Sequence, residues 1–285
     1  MSVALTASEI ETAFLAACAA ELDALKPGNV HRFAAGHGMD VAHFERAAKA
    51  AAPFIADPKL SVGQRIRAAT EASFSATGLN TNLGIVLLTA PLAKAAGETS
   101  VGMGLRRRLA IILSMLDVAD AVDAFAAIGL VNPAGLGRVG AGDVRAPAEM
   151  TLIEAMNLAA DRDRIAHAYV TAFEDIFDFA LPRLADARMI AARPDLAVTT
   201  LHMALLAEFP DSHICRKYGV EAAAKVRDQA IALKPFWEPV AGANSQAALL
   251  AFDTDLKALG LNPGTTADFV VGTLFADLIS RRKQP

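Results

Sequence analysis

Apolar residues recur along the chain three and four positions apart, and sustained two-residue alternation is nearly absent. That spacing predicts helices over residues 8–25, 40–52, 61–76, 82–96, 104–116, 118–130, 151–160, 163–185, 195–208, 219–233, 245–259 and 266–281. Start chemistry supports several of them. Ser8-Glu9-Ile10-Glu11, Ser61-Val62-Gly63-Gln64 and Thr151-Leu152-Ile153-Glu154 have the spacing in which a hydroxyl and an acid or amide three residues on satisfy each other's backbone N–H. Asp40 and Asp117 stand before alanine-rich stretches and are read as caps. Lys26-Pro27-Gly28, Gly97, Gly260 and Asn262-Pro263-Gly264 punctuate helix ends. Only Ile85-Val86-Leu87-Leu88 and Phe269-Val270-Val271 look strand-like, and each lies within a helical pattern. No fixed-period repeat is seen. The irregular stretch from Val131 to Met150 reads as one long loop on a single helical domain spanning 1–285. The predicted class is therefore all-α, a multi-helix bundle.

Composition sharpens this picture. Hydrophobic residues are 54% of the 285 and aromatics 6%, so the core is large but built of small side chains, which suits close helix packing. Disorder, collagen and a disulfide scaffold are excluded by this hydrophobicity, by 19 glycines without period and by 2 cysteines. Cys18 and Cys215 form no CxxC and read as buried or free thiols of a reducing compartment. The net charge of −4 gives no reason to expect nucleic acid. The N-terminus lacks a basic signal region, and the run from Leu83 to Ala93 is too short to span a bilayer, so no membrane is expected and a cytoplasmic location is. A homodimer is left open.

Known catalytic signatures are missing: there is no HExxH, GxSxG, Walker loop or zinc spacing. Gly135-Leu136-Gly137-Arg138-Val139-Gly140 satisfies GxGxxG, but Asn132-Pro133 precedes it in place of a strand. A phosphate-approaching loop with Arg138 as its charge and an ordinary surface loop both remain open. Polar clusters gather instead at helix junctions. Lys26-Pro27-Gly28-Asn29-Val30-His31-Arg32 follows the first helix, and His37-Gly38-Met39-Asp40 precedes the second. Asn80-Thr81-Asn82-Leu83-Gly84 sets small polar side chains beside the open N–H groups of a helix start, a setting for phosphate or ribose. Asp161-Arg162-Asp163 offers two carboxylates for magnesium or a solvated helix start. Asp211-Ser212-His213-Ile214-Cys215-Arg216-Lys217 is a further polar junction, and Arg106-Arg107-Arg108 reads as a solvated face.

Together these elements resemble the triphosphoribosyl-dephospho-CoA synthases. The resemblance rests on Lys26-Pro27-Gly28-Asn29-Val30, His37-Gly38-Met39-Asp40, Asn80-Thr81-Asn82-Leu83-Gly84, Asp211-Ser212-His213 and Asn262-Pro263-Gly264-Thr265-Thr266-Ala267-Asp268, in order across nearly the whole chain. It implies an all-helical transferase that moves the triphosphoribosyl group of ATP to a ribose hydroxyl of dephospho-CoA and releases adenine. Asn82 stands where the citrate-lyase branch has histidine, and Ser212-His213 where it has threonine-asparagine, which marks a divergent branch.

The resemblance also suggests roles. Lys26, Arg216 and Lys217 would clamp the triphosphate, with Gly28, Asn29, His37, Asn80, Thr81, Asn82, Gly84 and Arg138 completing the ATP site. Magnesium would be held by Asp40, Asp161 and Asp163. Asp40 would stabilise positive charge on the sugar, and Asp211 or His213 would take the acceptor's proton. Lys26, His37, Asp40, Asn80, Asn82, Asp211 and His213 are thus expected in one cleft, with Lys26 carrying little core packing. Two other classes stand beside this one: an ATP-using transferase or kinase for another one-carbon or nucleotide-like precursor, and a non-catalytic helical binding protein.

Overall fold

The computed structural model describes residues 4–99, 102–133, 142–242 and 245–281, and these contain helices with no strand beyond two isolated bridges, His31 to Ala34 and Gly36 to Met39. The α-helices described are α1 (Ala7–Asp23), α2 (Val41–Ala56), α3 (Val62–Thr77), α4 (Leu83–Gly97), α5 (Leu105–Ser114), α6 (Val118–Val131), α7 (Leu152–Ala159), α8 (Arg164–Val170), α9 (Leu181–Ile190), α10 (Pro194–Glu208), α11 (Ser212–Tyr218), α12 (Val220–Ala232), α13 (Gln246–Ala258) and α14 (Gly264–Arg281). A π-helical turn (Asp175–Ala180) leads into α9, and a 3-10 turn (Lys234–Phe236) follows α12.

Capping fixes most starts as the spacing predicts. Ser61 with Gln64 and Thr151 with Glu154 form reciprocal boxes, and Asp40 and Asp117 cap α2 and α6. The first helix is a correction. Its cap is Thr6, whose hydroxyl accepts from Glu9 N while the Glu9 carboxylate receives Thr6 N; Ser8 lies inside the helix. This choice places Leu5 and Ile10 on either side of the cap, both buried, so that an apolar staple fixes the chain's entry.

The helix expected over 163–185 is also not continuous. It stops at Val170, and Ala172 and Phe173 adopt φ of 51° and 59°. Phe173 is fully buried beside Tyr169, so burying that ring is what turns the chain. The polar junction after Pro210 hides a further helix, α11, which Asp211 caps through Ile214 N.

The two strand-like runs lie in α4 and α14, helices that bury residues on every side. They cross where Gly272 meets Leu88, a Cβ on Gly272 falling 3.4 Å from the Leu88 side chain. The main apolar cluster draws on α1 to α9 and α14. A second one, around Trp237, Phe252 and Leu256, joins α10, α12 and α13. Helix α10 serves both: Leu201 and Leu205 belong to the first, Met203 and Leu206 to the second. The GxGxxG segment and Arg138 lie outside the described residues.

Candidate active site

The N-termini of α4, α8, α11 and α14 open onto one cavity of about 710 Å³. That lies within the roughly 300–1,000 Å³ of typical small-molecule sites. Glu21 from the last turn of α1 and Asn29 close one side, and Phe125, Ile128, Leu152 and Met156 of α6 and α7 form an apolar wall.

Hydrogen bonds lace the helix starts together. Asp211 is buried and accepts from Ile214 N (3.0 Å), Thr266 N (2.7 Å) and Thr266 Oγ1 (2.8 Å), tying α11 to α14. Ser212 Oγ accepts from Arg164 N at 2.8 Å, which ties α11 to α8. Asp163 caps α8 through Ile165 N and Ala166 N and pairs with Arg216. Arg164 forks onto Asp175 and lies 4.1 Å over the Phe209 ring.

The start of α4 is different. Asn82 holds the cap position but makes no capping bond; its Nδ2 donates to Ser73 Oγ at 3.0 Å. Thr81 Oγ1 is buried without a hydrogen-bond partner among the described residues. The positive end of α4 therefore faces the cavity without a side-chain cap, lined by Asn80, Thr81 and Asn82. Gly84 is required there: a Cβ would fall 1.9 Å from Asp268 Oδ2.

Acids surround this point. Glu21 and Asp268 line the cavity, and burial raises the pKa of each. For Glu21, the nearby Lys26 opposes the rise. For Asp268, the negative charges of Asp211 and Glu21 add to burial and hold it well above the usual carboxylate range, with Arg216 pulling the other way. Asp268 has no hydrogen-bond partner among the described residues. His213 also lines the cavity, its ring beside Gly264; burial and the charges of Arg216 and Lys217 push its pKa down to about 4, so it is neutral near pH 7.

Of the residues singled out from the sequence, Asn29, Asn80, Thr81, Asn82, Gly84, Asp161, Asp163, His213 and Arg216 line this cavity, and Lys26, Gly28, His37, Asp40, Asp211 and Lys217 do not. Lys26 differs most from expectation. It is fully buried, and its ammonium donates to Glu21, to Asn29 Oδ1 (2.9 Å) and to Val30 O (2.6 Å). All three of its donors are engaged, so it carries packing and charge balance and has no free N–H for a phosphate. Gly28, at φ 83°, packs its Cα against Pro263 and Leu256. His37 binds Gly28 O at 2.8 Å, Asp40 is an exposed cap paired with His43, and Lys217 lies over the Tyr218 ring.

Glu21, Asn262 and Asp268 are polar cavity residues to which the sequence assigned no role. Asn262 Oδ1 receives Asn29 Nδ2 at 2.8 Å, joining the turn after α1 to the start of α14. A signal for Asp268 existed, a lone acid inside the otherwise apolar and hydroxylic run Thr265–Phe275. Glu21 gave none, since an acid near a helix end reads as solvated.

The family model of the ATP:dephospho-CoA triphosphoribosyl transferases matches residues 7–285. A crystal structure from Archaeoglobus fulgidus, described as a triphosphoribosyl-dephospho-CoA synthase, superposes with a TM-score of 0.65 at 22% identity, covering 83% of this chain and 99% of that one. At that identity the likeness is one of fold. No curated relative matches the chain.

Proposed function

The chain belongs to the ATP:dephospho-CoA triphosphoribosyl transferase family, and we propose that the cavity at its four helix starts is where ATP and the acceptor meet. As a transferase of this family it uses ATP as the donor of a triphosphoribosyl group and dephospho-CoA as acceptor. The observation that carries the placement is the uncapped start of α4, with the buried, unpartnered Thr81 hydroxyl at its edge. Backbone N–H groups and the helix dipole there suit phosphate or ribose oxygens.

Arg216, held by Asp163, supplies positive charge on the same wall. Asn29, fixed by Asn262, and Asn80 offer amides to the sugar or the triphosphate. His213, neutral, donates or accepts one hydrogen bond without adding charge. The apolar wall of α6 and α7 suits a base or the pantetheine arm. Lys26 acts at one remove by neutralising Glu21 and fixing Asn29.

The carboxylates on the cavity would repel a bare triphosphate, and hard oxygen donors are what magnesium takes. Asp161, at the rim without a hydrogen-bond partner among the described residues, fits as a ligand; Asp163 is committed to α8 and Arg216, and Asp40 is off the cavity. Magnesium, when bound, would lower the repulsion among the phosphates. Free thiols at Cys18 and Cys215 agree with a cytoplasmic setting.

Product analysis tests the reading. Incubation with ATP, magnesium and dephospho-CoA is expected to release adenine in step with a triphosphoribosylated acceptor. ADP or AMP in place of adenine would indicate a kinase or another transferase. No nucleotide turnover would indicate a binding protein.

A further inference from the structure

We propose that Asp268 is the general base of the transfer, taking the proton from the acceptor hydroxyl as that oxygen attacks the ribose. The proposal rests on the reaction assigned above.

Elimination among the acids on and behind the cavity wall supports it. Glu21 is bound to Lys26, Asp143 to Arg145, Asp163 to Arg216 and the start of α8, and Asp211 to Ile214 and Thr266. Asp161 lies exposed at the rim. Among the described residues, Asp268 alone combines depth with a free carboxylate. Its position is fixed by packing: the backbone of α4 at Gly84 comes so close that no side chain fits between them. Asp268 therefore stands directly beside the open end of α4, where the triphosphoribosyl group is placed. His213 is a poor competitor, because a ring pushed down to about pKa 4 has little affinity for the proton of an alcohol.

The step balances. The acceptor oxygen forms a bond to C1′ of the ATP ribose and gives its proton to Asp268. The C1′–N9 bond breaks, and its electron pair leaves with adenine. Asp268 then returns the proton to the adenine nitrogen, which restores the carboxylate.

The groups around Asp268 suit that cycle. Glu21 from α1, Asp211 at the cap of α11 and Asp163 before α8 raise its proton affinity, and Arg216 of α11 limits the rise. Lys26 is also within electrostatic range. A carboxyl lifted toward neutrality can both take and give a proton.

The test is Asp268→Asn in the adenine-release assay, with wild type alongside and calorimetry of ATP with magnesium. The variant is nearly isosteric and removes a charge that Asp211 and Glu21 oppose, so it should fold. The expected result is a kcat loss of about 10²–10⁴-fold with ATP affinity nearly unchanged, and loss of the acidic limb of the kcat/KM profile. Asp268→Glu, which keeps a carboxylate, is expected to lower kcat while retaining that limb, and it serves if the asparagine variant fails to fold. Near-wild-type turnover in Asp268→Asn overturns the proposal. A fall in ATP–magnesium affinity that matches the loss in kcat also overturns it, since Asp268 would then be a ligand and not a base. A wild-type protein that releases no adenine overturns the family reaction and this step with it; a failure confined to the variant data leaves that reaction standing.

Discussion

Lys26 shows how far a residue's local setting can mislead. A lysine three residues beyond a helix and just before Pro-Gly looks solvated, and nothing within ten positions says otherwise. It is buried because the turn it occupies is covered from the far end of the chain: Gly28 packs on Pro263 and Leu256, and Gly28 N donates to Asp253 at 2.8 Å. Those contacts span more than 200 residues and have no local signature. Removing the lysine leaves Glu21 buried without its cation, and breaking a buried pair on one side typically costs about 3–5 kcal/mol. Lys26→Ala is therefore expected to lose stability on that scale in urea unfolding. Any weakening of ATP binding should then follow from the misplaced Asn29 and Glu21. Wild-type stability with weakened ATP binding would return Lys26 to direct phosphate contact.

At the scale of elements, caps made the helices legible, because a cap is a local hydrogen bond between residues three apart. Ser61, Thr151, Asp40 and Asp117 all act as their spacing predicts. What the spacing could not tell was where tertiary contact overrides it. Thr6 displaced Ser8 because Leu5 and Ile10 bury together, and Phe173 broke a helix in order to reach the core. The candidate site was legible in part for the same reason. Its helix starts at Asn80–Gly84, Asp161–Asp163 and Ser212–Arg216 are polar breaks in an apolar text, whereas Asp268 lies inside a helix and Glu21 near the end of one.

Glycines carry a related meaning. Gly63, in the first turn of α3, would place a Cβ 2.4 Å from Asp120 Cα of α6, and its N–H donates to Asp120 Oδ1 at 2.7 Å. Helix propensity favours alanine over glycine by about 1 kcal/mol in a helix interior. The contact here is backbone, which cannot swing aside as a side-chain tip can. Gly63→Ala is therefore expected to destabilise by about 1–3 kcal/mol, the usual cost of overpacking, measured as a lower midpoint in urea. A stabilised variant would mean that α3 and α6 can separate at little cost.

At the scale of the whole molecule, α10 is the element through which the two apolar clusters cohere, and its centre carries a buried imidazole. His202 is fully buried, and neither ring nitrogen has a hydrogen-bond partner among the described residues. Burial, then the charge of Lys26, push its pKa down to about 3. The sign of the consequence follows from proton counting. Above the ordinary histidine pKa of about 6.5, the ring is neutral in both folded and unfolded chains, and the term is silent. As pH falls from there toward 3, the unfolded chain takes up a proton that the folded chain refuses, so stability drops. His213, held near 4, adds to the same trend over a narrower window. Glu21, Asp211 and Asp268 bend the curve the other way, since carboxyls whose pKa is raised by folding favour the native state as they protonate. The net profile therefore mixes signs, and the informative quantity is a difference. His202→Gln, which removes the titration and keeps a polar side chain, is expected to lose stability at pH 7.5 but to lose less than wild type on going to pH 4.5. The gap between the two slopes should be on the order of one to a few kcal/mol, at about 1.4 kcal/mol per unit of pKa shift. Urea unfolding at the two pH values measures it, and parallel slopes would show that protons reach His202 in the folded protein.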